Sequence, residues 1–143
     1  VLIPTGQIAP VEGTPFDFRE PHAIGERIGA DNQQLRNGGG YDHNWVIDRK
    51  TESGIEQVAT VWEPASGRTI EVLSDQPGLQ VYSGNFFDGK ANGKYGKPLR
   101  YRESLALETQ KFPDSPNHDN FPSTVLRPGE EYTQVCIYRF GVK

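Results

Sequence analysis

The 143-residue chain carries 16 glycines and 11 prolines, spread along its whole length. Few stretches run much beyond ten residues without one, which excludes long helices and favours short strands joined by turns. "EPHAIGERIG" is the one segment with a helical pattern: Pro21 suits a first helical position, and Ile24 and Ile28 share a face. Strand patterns are better developed. "IEQVATVW" (55–62) and "RTIEVLSD" (68–75) flank the turn "EPASG" and read as a hairpin. In "GLQVYSGN", Leu79, Val81 and Ser83 alternate with Gln80 and Tyr82; in "SLALETQ", Leu105 and Leu107 alternate with Ala106 and Glu108. "NWVIDR" and "EEYTQVCIYRFGVK" complete the set, and two loops, 84–98 and 112–122, are long enough to carry function. The expected class is mostly β and sandwich-like.

Composition narrows the function. Hydrophobic residues are only 34% of the chain, but aromatics reach 10%, which separates it from disordered sequences. A net charge of −4 with interspersed signs argues against nucleic acid as a partner. No apolar run approaches the roughly 20 residues of a membrane span. Cys136 is the single cysteine, so no internal disulfide can form, and a reducing, cytoplasmic setting is expected. The spacing of Cys136 and the three histidines suits no metal site, and none is expected.

Two acids stand out. Glu108 lies inside an apolar strand with Gln110 on its face; a half-solvated strand explains that, and so does a general base held on a rigid element. Asp42 and His43 follow three glycines in "GGGYDHN", where either Asp and Asn cap a turn or the loop delivers Asp42 or His43 to a ligand. "FPDSPNHDNFP", bracketed by prolines and aromatics, reads as an ordered loop.

Taken in order, "LIPTGQIAPVEGTPFDF", "GYDHNWV", "EPASGRTIEVLSDQPGLQVYSGNFFDG" and "LALETQKFPDSPNHDNFPSTVLRPGEEY" resemble the aldose 1-epimerases, or galactose mutarotases, over nearly the whole chain. The resemblance implies a large antiparallel β-sandwich, the galactose mutarotase-like supersandwich, and interconversion of the α and β anomers of galactose or glucose without metal or organic cofactor. It assigns the general base to Glu108, and contacts with sugar hydroxyls to Asp42 and Gln80, while His43 is kept structural. The glycines of "GGGYDHN" would let a loop approach the sugar and deliver Asp42.

The family's general acid is a histidine in an "NH.YFNL"-type segment, which residues 1–143 do not contain. The resemblance therefore makes this chain the C-terminal part of a single domain, inactive by itself. A fragment, a second chain supplying the N-terminal half, and a shortened sugar-binding relative are the three readings of that gap. The rival functions are a non-catalytic carbohydrate-binding module using the same cleft, or a structural subunit completing a sandwich.

Overall fold

The computed structural model of the protein describes residues 2–143. Its elements are two short helices, α1 (Ile24–Arg27) and α2 (Gln33–Gly38), and six strands. These are β1 (Asp42–Val46), β2 (Glu56–Trp62), β3 (Arg68–Ser74), β4 (Gly78–Tyr82), β5 (Ala106–Gln110) and β6 (Cys136–Val142). The mostly β expectation holds, with two three-stranded sheets in the orders β1-β4-β5 and β2-β3-β6.

The chain divides into two compact units. The first comprises Val1–Asn44 and Gln80–Glu108. Its core gathers around Tyr41, which is 1% exposed, with Ile28 and Leu35 also buried. Phe16 and Phe18 meet the Tyr41 ring edge-on at 5.7 and 5.4 Å, and the phenol donates to the Pro15 carbonyl at 2.9 Å. That bond satisfies the one polar atom of a ring otherwise enclosed by apolar groups.

Helix α1 begins at Ile24, so Pro21 lies before it rather than in its first turn. Helix α2 is a second helix where the sequence pattern pointed to one. Its signals are terminal: the Asn32 side chain accepts from the Gln34 N–H at 2.8 Å, and Gly39 closes the other end in the left-handed conformation (φ 63°). Leu35 is its single buried apolar side chain, so no periodicity announces it.

The second unit comprises Trp45–Leu79 and Thr109–Lys143. The expected hairpin is present: β2 and β3 pair antiparallel from Glu56↔Ser74 to Trp62↔Thr69, with a register shift between Gln57 and Ala59. Its turn is fixed by Glu63, whose carboxylate accepts from the Ala65 and Ser66 N–H groups, both at 2.8 Å. Strand β6 pairs with the other side of β3, from Ser74↔Cys136 to Arg68↔Val142. It is shorter than the run "EEYTQVCIYRFGVK". The Val135 N–H goes to the Asp75 carboxylate, and its carbonyl accepts from the Ser74 hydroxyl. The loop after β5 is ordered, as its aromatics and prolines suggest. Phe112 and Phe121 meet edge-on at 5.2 Å around a 3-10 turn at Ser115–Asn117.

Candidate functional site

Asp42, Gln80 and Glu108 all lie in the first unit, one on each of β1, β4 and β5. Strand β1 begins at Asp42, two residues before the run "NWVIDR" suggested, so Asp42 is an extended strand residue rather than a turn cap. The Ser83 N–H donates to the Tyr41 carbonyl at 3.0 Å, and the Ile47 N–H to that of Pro77 at 2.9 Å. These bonds run β1 antiparallel to β4 and set Asp42 opposite Tyr82 and Asn44 opposite Gln80. Opposed residues share a face, so Asp42, Asn44, Gln80 and Tyr82 form one side of the pair.

The Gln80 amide reaches diagonally along that side and donates to Asp42 Oδ1 at 2.9 Å. Its other end, Oε1, is buried and has no hydrogen-bond partner among the described residues. Such an atom is costly to leave unmet, and a ligand hydroxyl is a donor that could meet it. Tyr82 adds an aromatic edge to the same side, stacked with Phe86 at 6.0 Å. The sequence offered Asn44 only as a turn cap and Tyr82 only as a strand residue; the strand pairing brings them beside Asp42.

The opposite side of β1 is structural. His43 meets Phe16 edge-on at 4.8 Å, and its Nδ1 accepts the Asp42 N–H at 3.0 Å. Burial pushes this imidazole below its usual pKa, opposed by the Asp42 carboxylate and the Gln34 backbone. A neutral ring accepting at Nδ1 suits a packing role, as the sequence reading held.

The three glycines have a different task from approaching a ligand. Gly38 ends α2 and Gly39 caps it, while Gly40 (φ 145°) passes directly against the Asn85 carboxamide. A Cβ at Gly40 would overlap Asn85. The run turns the chain out of a helix, past a buried side chain, and into β1.

Glu108 sits on β5, next to β4 in the sheet order, and is solvent-exposed. Among the described residues its carboxylate makes no hydrogen bond or ion pair, so the structure joins Asp42 to Gln80 directly and leaves Glu108 open on the neighbouring strand. Two hollows in the unit do not include these residues: one is lined by Asp17, Arg19, Glu20 and His22, the other by Phe87, Lys97, Pro98, Leu99, Arg100, Glu103 and Ser104. No group of three or more His, Cys, Asp or Glu side chains suited to a metal occurs among the described residues. Among them also, no helix is long and apolar enough to cross a membrane.

A family model for aldose 1-epimerase matches residues 1–139. The chain belongs to the aldose 1-epimerase family. Within that family it is 45% identical over 141 residues to a galactose mutarotase from Mus musculus, covering 99% of this chain and 39% of that protein. Against an aldose 1-epimerase from Escherichia coli (strain K12), identity is 39% over 140 residues, with 96% and 40% covered. The crystal structure of a GalM/aldose epimerase homologue from C. elegans superposes with a TM-score of 0.83 at 31% identity, over 98% of this chain and 40% of that one. The aldose 1-epimerase fold is thus shared across the chain, which spans about two fifths of the length of these relatives.

Proposed function

We propose that residues 1–143 carry the base side of an aldose 1-epimerase site, as the C-terminal part of one β-sandwich domain that interconverts the anomers of galactose or glucose. Glu108 removes the anomeric hydroxyl proton as an acid protonates the ring oxygen, and the bond from C1 to that oxygen breaks. The open-chain aldehyde turns its other face, and the same groups reverse roles as the ring closes. Asp42 accepts hydrogen bonds from sugar hydroxyls; Gln80, held by Asp42, offers its unpartnered Oε1 to another.

The observation that carries this reading is the Gln80–Asp42 bond, with Gln80 on the strand next to that of Glu108. A general base must be positioned yet open to its proton, and a carboxylate without internal partners on a strand fits that need. The proton donor is assigned to a group outside residues 1–143. All three histidines here are engaged otherwise: His22 pairs with Glu26, His43 packs on the far side of β1, and His118 pairs with Asp114 at 3.3 Å. The cytoplasmic setting belongs to the same proposal and rests on the single cysteine.

The test is polarimetry of freshly dissolved α-galactose with the full-length protein and its Glu108→Gln variant. Catalysed loss of rotation that vanishes in the variant supports the reading. Tight sugar binding without any catalysed mutarotation would support the binding-module alternative instead.

A further inference from the structure

We propose that Asn85 is a positioning residue for Asp42, setting where that carboxylate stands toward the sugar; the proposal rests on the reading of Asp42 as a sugar-binding group. Asn85 lies three residues beyond the end of β4 and is 8% exposed. Its Nδ2 donates to the carbonyls of Gly38 at 3.0 Å and Tyr41 at 2.8 Å. Its Oδ1 faces the Ser83 hydroxyl at 2.7 Å. That hydroxyl in turn accepts the Tyr41 N–H at 3.1 Å. The amide can be placed only one way round, because the flipped form would set its oxygen against two carbonyls. The Arg102 guanidinium holds the Gly39 carbonyl at 2.8 Å.

These bonds converge on the peptide group that joins Tyr41 to Asp42. Its oxygen receives the Asn85 amide and the Ser83 N–H, and its own N–H, that of Asp42, goes to His43 Nδ1. A planar peptide held at both its donor and its acceptor cannot rotate. The direction in which the next residue's side chain leaves the backbone is then fixed, and that residue is Asp42. Gly40 belongs to the same device, since only a residue without Cβ lets the Asn85 carboxamide lie against the backbone there. The network contains no group that the epimerisation itself requires. Its effect on the sugar passes through Asp42.

The experiment uses the full-length protein with Asn85→Ala, or the near-isosteric Asn85→Asp should the alanine variant not fold. Three quantities are measured: KM and kcat for galactose per folded molecule, the NMR signals of the Gln80 side-chain amide, and the same KM in an Asp42→Ala background. The expected result is a KM raised about tenfold, the scale of one misdirected hydrogen bond to a charged group, with kcat changed far less. The Gln80 amide signals should shift or broaden, because their acceptor has moved. In the Asp42→Ala background the Asn85 substitution should add nothing to KM. A purely structural role would lower the folded fraction and leave KM and the Gln80 signals alone, and that outcome overturns the proposal. So does an equal rise in KM with and without Asp42. If Asp42→Ala alone leaves KM unchanged, the sugar-binding reading fails, and the Gln80 signals then decide on Asn85 independently.

Discussion

Gln80 Nε2 and Asp42 Oδ1, 38 residues apart in the chain, are 2.9 Å apart across two paired strands. The bond holds both side chains on one side of the sheet before any ligand arrives. Asp42→Ala removes a charged acceptor worth roughly 1.5–3 kcal/mol to a bound hydroxyl and frees the Gln80 amide as well. The expected outcome is a KM for galactose raised by about ten- to a hundredfold, read from initial mutarotation rates. A lowered melting temperature with unchanged KM would instead make Asp42 a structural residue of β1.

Glu108→Gln in the full-length protein should spare sugar affinity and abolish most of the rate. The amide is nearly isosteric but cannot take the anomeric proton, and general base catalysis contributes roughly 10²–10⁴-fold. Because the Glu108 carboxylate has no partner among the described residues, the substitution should leave the folded state undisturbed, with an unchanged far-UV spectrum. A variant keeping more than about half of the wild-type rate would remove Glu108 from the mechanism, since that loss is far below the range expected of a base.

The strands were legible because their alternation and turns are local. Glu63 and Gly67 mark the hairpin within a dozen residues, and the alternation around Glu108 marked β5. Helix α2 was not legible, since a six-residue helix with one buried side chain writes its signal only at Asn32 and Gly39. The start of β1 was misplaced for a related reason: Asp42 and His43 are polar, and polarity imitates a turn. The family resemblance pointed to Gln80, but its bond to Asp42 depends on a register no single segment contains. The role of Gly40 is written at Asn85, 45 positions away.

Gly40→Ala should destabilise the protein by about 1–3 kcal/mol, from a backbone conformation that side chains rarely adopt and from collision with a buried carboxamide. Chemical denaturation would show it as a lower midpoint with an unchanged slope. Truncating the obstacle should return part of the loss, so Gly40→Ala combined with Asn85→Ala should fall short of the sum of the two single effects. Additive losses would mean that the contact is not what makes Gly40 necessary.

Glu56 should give the second unit an acid-sensitive element. The Thr51 hydroxyl at 2.6 Å, the Lys50 and Thr51 N–H groups at 2.9 and 3.0 Å, and the Arg49 guanidinium together hold its carboxyl down at about 2. A carboxyl whose folded pKa lies below its unfolded value stabilises fully above the unfolded value of about 4.3, and that contribution is lost as pH falls toward 2. Thermal melts of the wild type should decline through this window. Glu56→Gln should start lower at neutral pH and decline less steeply below about pH 4.3, where the wild type alone loses the carboxylate. Parallel acid limbs in the two proteins would exclude Glu56 as a source of the sensitivity.

Arg49, the partner of Glu56, reaches the carbonyls of Thr51, Gly54, Ser74 and Gln76. Every one of these acceptors belongs to the main chain. Arg49 therefore recognises the loop from Thr51 to Gly54 by its path, while the Thr51 hydroxyl is tied to Glu56 and Gly54 takes a positive φ of 101°. Arg49 itself has no substitute: a lysine offers a single ammonium where a five-donor fork is engaged on several sides. One position thereby holds the path of a whole segment, and within that segment Glu52 and Ser53 are the residues whose side chains could be exchanged without touching these bonds.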